Sequence, residues 1–210
     1  MKLNLGCGAN RIKGFINIDA AKGEYANPDM KADKYCDILD LVYEPNTIEA
    51  IRMESVFEHF PRHIALFLSR RLYTWLKPGG FLSITVPDLM GTIDKIKSTS
   101  SICDQLFYFR HIFGPQDVLE YGTHYDGFTI EKLELTFKAA GFNDFKAVKK
   151  GRWPSIYFTA FKRVPFVDDE EAKTRIITLL RHYTKGRKAN FLMDAWLAQC
   201  NKTNVDNIHD

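Results

Sequence analysis

Apolar and polar positions along this chain follow two different periods. Short runs rich in Ile, Leu, Val and Phe over residues 2–5, 15–18, 49–53, 81–86, 144–149 and 156–162 predict strands, with a weaker one over 35–38. Between them apolar residues recur at helical spacing. "RHIALFLSRRLYTWLKPGG" sets Ile64, Leu68, Leu72 and Trp75 on one face and is stopped by Pro78 and two glycines. "TIEKLELTFKAAGF" opens with Thr129 as N-cap and closes at Gly141, a natural C′ residue. Residues 88–128 form a long segment with a helix of its own, Ile102 to Phe113, rich in aromatics. Strands alternating with helices predict an α/β domain built on a mostly parallel sheet.

The pattern changes after Arg163. "DDEEAKTRIITLLRHYTKG" carries acids in its first turn and bases in its last, as the helix dipole favours. Its stripe is Ala172, Ile176, Leu179, Leu180 and Tyr183. A second short helix around Phe191 to Gln199 carries Leu192, Ala195 and Trp196. The expected organisation is therefore a domain over 1–163, with 88–128 as its lid or acceptor segment, and a helical extension over 164–210. Ile176, Leu180, Tyr183 and Trp196 need a cover, either the domain itself or a second copy, so the chain is expected to be a monomer or a homodimer.

Composition narrows the class. The chain has 210 residues, 45% hydrophobic and 26% charged, which is ordinary globular content. No apolar run approaches the roughly 20 residues a bilayer span needs. The first strand starts almost at Met1, so no signal peptide is expected and the protein reads as cytoplasmic. Cys7, Cys36, Cys103 and Cys200 are widely spaced, with no CxxC pair. Neither zinc nor a disulfide framework is suggested, and no histidine–carboxylate spacing suggests another metal. A net charge of +3 does not demand nucleic acid.

The candidate chemistry begins at "KLNLGCGANRIKGFINID", residues 2–19. A strand, a glycine turn, a second strand and a terminal acid are packed into this stretch. A dinucleotide reader needs G-x-G-x-x-G, a full crossover helix to receive the pyrophosphate, and an acid about 20 residues onward. Here Arg11 stands where the third glycine belongs, Gly8 and Gly14 are too close for a full helix, and Asp19 follows too soon. A pyrophosphate would find little of the oriented dipole that holds it. A ligand without phosphates wants only bare backbone beside the glycines and a carboxylate for two ribose hydroxyls.

"LNLGCG-GFINID", "CDILDL", "IEAIRMESVFEHF", "LKPGGFLSITVPD" and "GFTIEKLELTFKAAGF" together resemble a class I S-adenosylmethionine-dependent methyltransferase, and within it the small type 11-like members with a shortened first crossover. The resemblance covers residues 2–162. It implies a three-layer Rossmann-like fold with seven strands in the order 3-2-1-4-5-7-6, the last antiparallel, and S-adenosyl-L-methionine as cofactor. Gly6, Cys7 and Gly8 would lie against the ligand, Asp19 would take the ribose hydroxyls, and Asp40 with Leu41 would read adenine. Met53 and Glu54 would border the methionine part. Asn4 stands where an acid is common, as an anchor for the ammonium. Asp37 competes with Asp40, one of the two being structural.

Methyl transfer to oxygen needs alignment and a base within hydrogen-bond reach. The candidates are His59, His111 and His124. His124, in "YGTHYDGFT", stands where the 88–128 segment returns to the domain and is the preferred base. His59, in "FEHFP", matches a histidine common in the family and is the second candidate, for the acceptor pocket. His111, among Phe107, Phe109 and Phe113, reads as a packed helix residue. The NPPY-type tetrapeptide of nucleic-acid amino methyltransferases is replaced by "VPDL". The implied acceptor is a small molecule or saccharide hydroxyl. A non-catalytic module of the same fold, perhaps within a larger polysaccharide-assembly protein, and a nicotinamide-dependent oxidoreductase are the alternatives.

Overall fold

The computed structural model describes residues 1–20, 31–116, 122–184, 186 and 188–202. Among them seven strands form one sheet: β1 (Lys2–Leu5), β2 (Ile16–Asp19), β3 (Lys34–Tyr35), β4 (Ile48–Glu54), β5 (Leu76–Pro87), β6 (Asp144–Lys150) and β7 (Ser155–Phe161). Their order is β3-β2-β1-β4-β5-β7-β6. β7 runs antiparallel to β5 and β6, and the other pairs are parallel. This is the expected Rossmann-like order. β1 and β4 sit in the middle, so Leu3, Leu5, Ile51 and Met53 are fully buried. Their apolar residues are buried on both faces, although Asn4 interrupts β1 and Glu49 and Arg52 interrupt β4.

Six helices complete the layers: α1 (Arg62–Trp75), α2 (Leu89–Ser98), α3 (Ile102–Phe113), α4 (Ile130–Ala140), α5 (Asp169–Tyr183) and α6 (Ala189–Lys202). Thr129 caps α4 by accepting from the Lys132 N–H at 3.2 Å. Gly141 ends it at φ +115°, with its N–H on the Lys138 carbonyl. The end of α1 is closed differently. Lys162, buried at the end of β7, donates to the carbonyls of Tyr73 and Leu76 at 3.0 and 2.7 Å. The ammonium thereby satisfies orphan acceptors of the last turn.

Three boundaries differ from the sequence reading. The expected strand over 35–38 is cut to two residues because Asp37 starts a 3-10 turn, Ile38–Asp40, by accepting from the Leu39 N–H at 2.8 Å. β5 begins at Leu76, not at 81, so "LKPGG" belongs to a strand with a register shift against β4. α2 was hidden by Gly91, whose Cβ would lie 2.6 Å from the Asp88 carboxylate.

The C-terminal helices pack on α1 and α4. Arg70, buried on α1, binds Asp169 at 2.8 Å and the carbonyls of Ala140 and Val167 at 3.0 Å each. His63 stacks on Trp196 and its Nε2 meets Gln199 Oε1 at 2.8 Å. Ile176 and Leu180 are thus covered within the chain. No helix among the described residues is long and apolar enough to cross a membrane.

Candidate functional site

The carboxyl ends of β1, β2 and β4 open on one crevice, the usual ligand position in an open α/β sheet. Its floor is the first glycine turn. The Cys7 N–H donates to the Ile18 carbonyl at 3.1 Å. The Gly8 N–H donates to Asp19 Oδ2 at 2.5 Å, and the Ala20 N–H to Oδ1 at 2.8 Å. Asp19 is thus fixed at the end of β2 beside the turn, and each oxygen keeps a lone pair for a further donor.

The two glycines serve different needs. Gly6 has φ +64°, and a Cβ there would sit 2.3 Å from Val56. It lets the turn approach the chain leaving β4. Gly8 has φ +50°, and a Cβ there would meet nothing within 4 Å. The Gly8 backbone N–H is at the same time bonded to the Asp19 carboxylate.

A polar net fastens the turn from behind. Asn4, buried, donates to the Asn10 carbonyl and to Asn17 Oδ1, both at 2.9 Å. Asn17 Oδ1 also accepts from the Ile12 N–H at 2.8 Å. Asn17 donates to Asp33 Oδ2 from its side chain at 2.8 Å and its backbone at 2.9 Å, and Arg11 pairs with Asp33. These bonds from Asn17 hold the Asp33 carboxyl below its ordinary range. The two Asn4 amide donors are thereby used within the protein, while these bonds leave out its Oδ1, the atom that would accept from a ligand ammonium. Burial and the neighbouring Asp19 push the Cys7 thiol up to about 11, so it stays protonated.

The remaining cofactor candidates divide by exposure. Asp37 is the turn's cap, and Asp40, at the end of that turn, is exposed. Leu41 is buried, and its carbonyl accepts from Arg71. Arg71 also donates to the Leu39 carbonyl at 2.9 Å, so one buried arginine on α1 positions the turn bearing Asp40. Met53 is fully buried at the end of β4. Glu54, next along, pairs with Arg52. Ser55 then turns the chain with φ +53°. Arg71, Asn17 and Asp33 were not singled out in the sequence; a double arginine inside an apolar helix was the available sign.

The crevice is bounded beyond β4 by a 3-10 turn, Phe57–His59, and by the returning segment 122–128. The Tyr125 N–H donates to the Glu58 carbonyl at 2.9 Å. His59 Nδ1 meets the Thr123 carbonyl at 3.1 Å. The His124 N–H donates to the Phe113 carbonyl at 3.1 Å, an approach that requires Gly114, whose Cβ would lie 2.0 Å from the Gly122 carbonyl oxygen. These bonds bring the two expected histidines together, their rings edge to face at 4.8 Å. Burial lowers both, and His59 beside it helps hold His124 near 4, so neither ring is charged at neutral pH. Glu58, missed in the sequence, is buried beside them. Burial pushes its carboxyl up to about 8. His111 neighbours His124 through its backbone, but its own ring is turned to another partner, Nε2 on the Pro154 carbonyl at 3.0 Å. Residues 117–121 of the expected lid fall outside the described residues.

No family model and no curated protein matches the chain. Solved structures do. A SAM-dependent methyltransferase from Archaeoglobus fulgidus superposes with a TM-score of 0.52 at 14% identity, over 77% of this chain and 85% of that one. A SAM-dependent methyltransferase from Thermotoga maritima, named a possible histamine N-methyltransferase, gives 0.50 at 16%, over 77% and 81%. A possible exported protein from Bordetella parapertussis gives 0.51 at 14% identity, and this chain spans only 62% of its length. At such identities the likeness establishes the fold, which is that of class I methyltransferases.

Proposed function

We propose that the protein is an enzyme that transfers a methyl group from S-adenosyl-L-methionine to a hydroxyl of a small molecule or saccharide. The observation that carries this reading is the pairing, on this fold, of the Asp19 carboxylate with an open space at Gly8. Bare main chain at Gly6-Cys7-Gly8 can lie against an adenosyl ligand, and Asp19 can accept from two ribose hydroxyls. Asp40, exposed on its Arg71-held turn, would accept from the adenine amine. Leu41, Met53 and Glu54 would form the adjoining wall, and Asn4 would act by holding the turn in shape.

When bound, the cofactor supplies a methyl group on a sulfonium that is already a good leaving group. The protein's part is alignment. His59 and His124 would serve there as neutral imidazoles, whose ring nitrogen lone pair can take a hydrogen bond, or the proton, from an acceptor hydroxyl. The 88–128 segment would be the lid on the acceptor side. The modest net charge of +3 supports a small acceptor over a nucleic acid. The test is a screen of hydroxylated small molecules and saccharides with labelled cofactor. The expected result is labelled product with release of S-adenosylhomocysteine; cofactor binding without turnover on any acceptor would favour a binding module.

A further inference from the structure

We propose that Glu58, His59 and His124 hold one divalent transition-metal ion of the zinc type at the acceptor end of the crevice, with a coordination position left for an acceptor oxygen. The site itself stands on geometry alone; only the ion's role rests on the methyl-transfer reading.

One ligand atom from each of the three side chains falls within 4.8 Å of the others. Yet neither oxygen of Glu58 has a hydrogen-bond partner, although the side chain is 1% exposed. The carboxylate is therefore too far from the rings for a direct hydrogen bond and near enough to share an ion with them. Donors at about 2.0–2.2 Å from one ion lie roughly 3–4 Å apart, so closing the site needs its widest pair to approach by up to roughly 1–2 Å. A buried carboxylate with no partner is costly, and a cation is the natural remedy. Burial alone already drives this carboxyl toward its neutral form.

The two imidazoles are prepared for the same task. A carbonyl can only accept, so the His59 Nδ1 on the Thr123 carbonyl carries a proton, and the backbone of Ser55 also reaches the ring. His124 Nδ1 is buried with no partner, and the backbone of Ile112 and His111 supplies acceptors to the ring. The 3-10 turn and segment 122–128 that carry these groups are already bonded to each other through Tyr125 and Thr123. Two imidazoles and one carboxylate suit Zn²⁺ or its neighbours better than Mg²⁺ or Ca²⁺, which prefer oxygen ligands. With the ion bound, the imidazole lone pairs serve as ligands rather than as the base, and an acceptor hydroxyl on the ion would lose its proton more readily, to solvent.

The experiment uses the full, untagged chain after chelator treatment, titrated with Zn²⁺ by calorimetry and with Co²⁺ by visible absorption, without S-adenosylmethionine. One equivalent of each is expected, with a ligand-field band for Co²⁺. Glu58→Met and His124→Ala should each weaken Zn²⁺ binding at least a hundredfold, and His111→Ala should leave it within threefold. Glu58→Met should also raise the melting temperature of the metal-free protein. A second measurement needs no variant: Zn²⁺ should protect His59 and His124, but not His111, from diethyl pyrocarbonate. No binding by the wild type, binding kept in a folded Glu58→Met or His124→Ala protein, or no protection would overturn the proposal and leave a buried acid beside two histidines. Cofactor binding is measured separately, so failure of the metal site and failure of the methyl-transfer reading give different results.

Discussion

The two ends of the crevice are built on opposite terms. At the first turn nearly every polar group has a partner. Asn4, Asn17, Asp33 and Arg11 bind one another or the backbone, and Asp19 is fixed by two N–H donors. At the acceptor end, Glu58 keeps both oxygens unpaired, His124 leaves Nδ1 unpaired and nearby Arg62 leaves Nε unpaired. A satisfied buried network rigidifies, whereas an unsatisfied one stores free energy that a ligand can release. On the proposed reading, the first turn is finished before its ligand arrives and the other end is completed by what it binds.

The largest expected effect breaks the first region. Asp19→Ala removes the acceptor for two hydroxyls and should weaken S-adenosylhomocysteine binding by about thirtyfold or more, on the order of 2 kcal/mol, as read by calorimetry. Next, Asn17→Ala leaves Asn4, the Ile12 N–H and Asp33 without their shared partner. It should cost about 2 kcal/mol in urea unfolding and loosen cofactor binding with it.

Gly114→Ala sharpens the contrast from the other side. Its Cβ would strike the Gly122 carbonyl, displacing the segment that carries His124. Turnover should fall about tenfold, roughly 1.4 kcal/mol, while cofactor affinity stays at the wild-type value. A parallel loss of affinity would mean that the two ends are one unit.

The smallest effect concerns acid. The Asp33 carboxyl is held below its ordinary value of 3.8, first by hydrogen bonds from Asn17. A lowered carboxyl contributes stability that is present above pH 3.8 and lost as pH falls through its folded value. Asp33→Asn should therefore lower thermal stability at neutral pH, with the difference from wild type shrinking as pH falls below 3.8.

How much of this was legible depended on range along the chain. Strand order was implied by the family resemblance, whereas the ends of α4 follow from local signals, the Thr129 and Gly141 caps. Asp19 was readable because it lies in the same short unit as the glycines. The choice between Asp37 and Asp40 needed the 3-10 turn, in which Asp37 is used as the cap. Arg71 was hidden because its partners are carbonyls, which have no letter in a sequence. The Glu58–His59–His124 cluster joins His124 to residues 65 and 66 positions earlier, through backbone bonds of segment 122–128. No spacing rule reaches that far.

The central claim is that the first turn is shaped for an adenosyl ligand without phosphates. The most direct test is calorimetric titration of the wild-type chain with S-adenosylhomocysteine and, separately, with NADH. One equivalent of the former and none of the latter is the expected result. Binding of NADH, or no heat with S-adenosylhomocysteine, would contradict it.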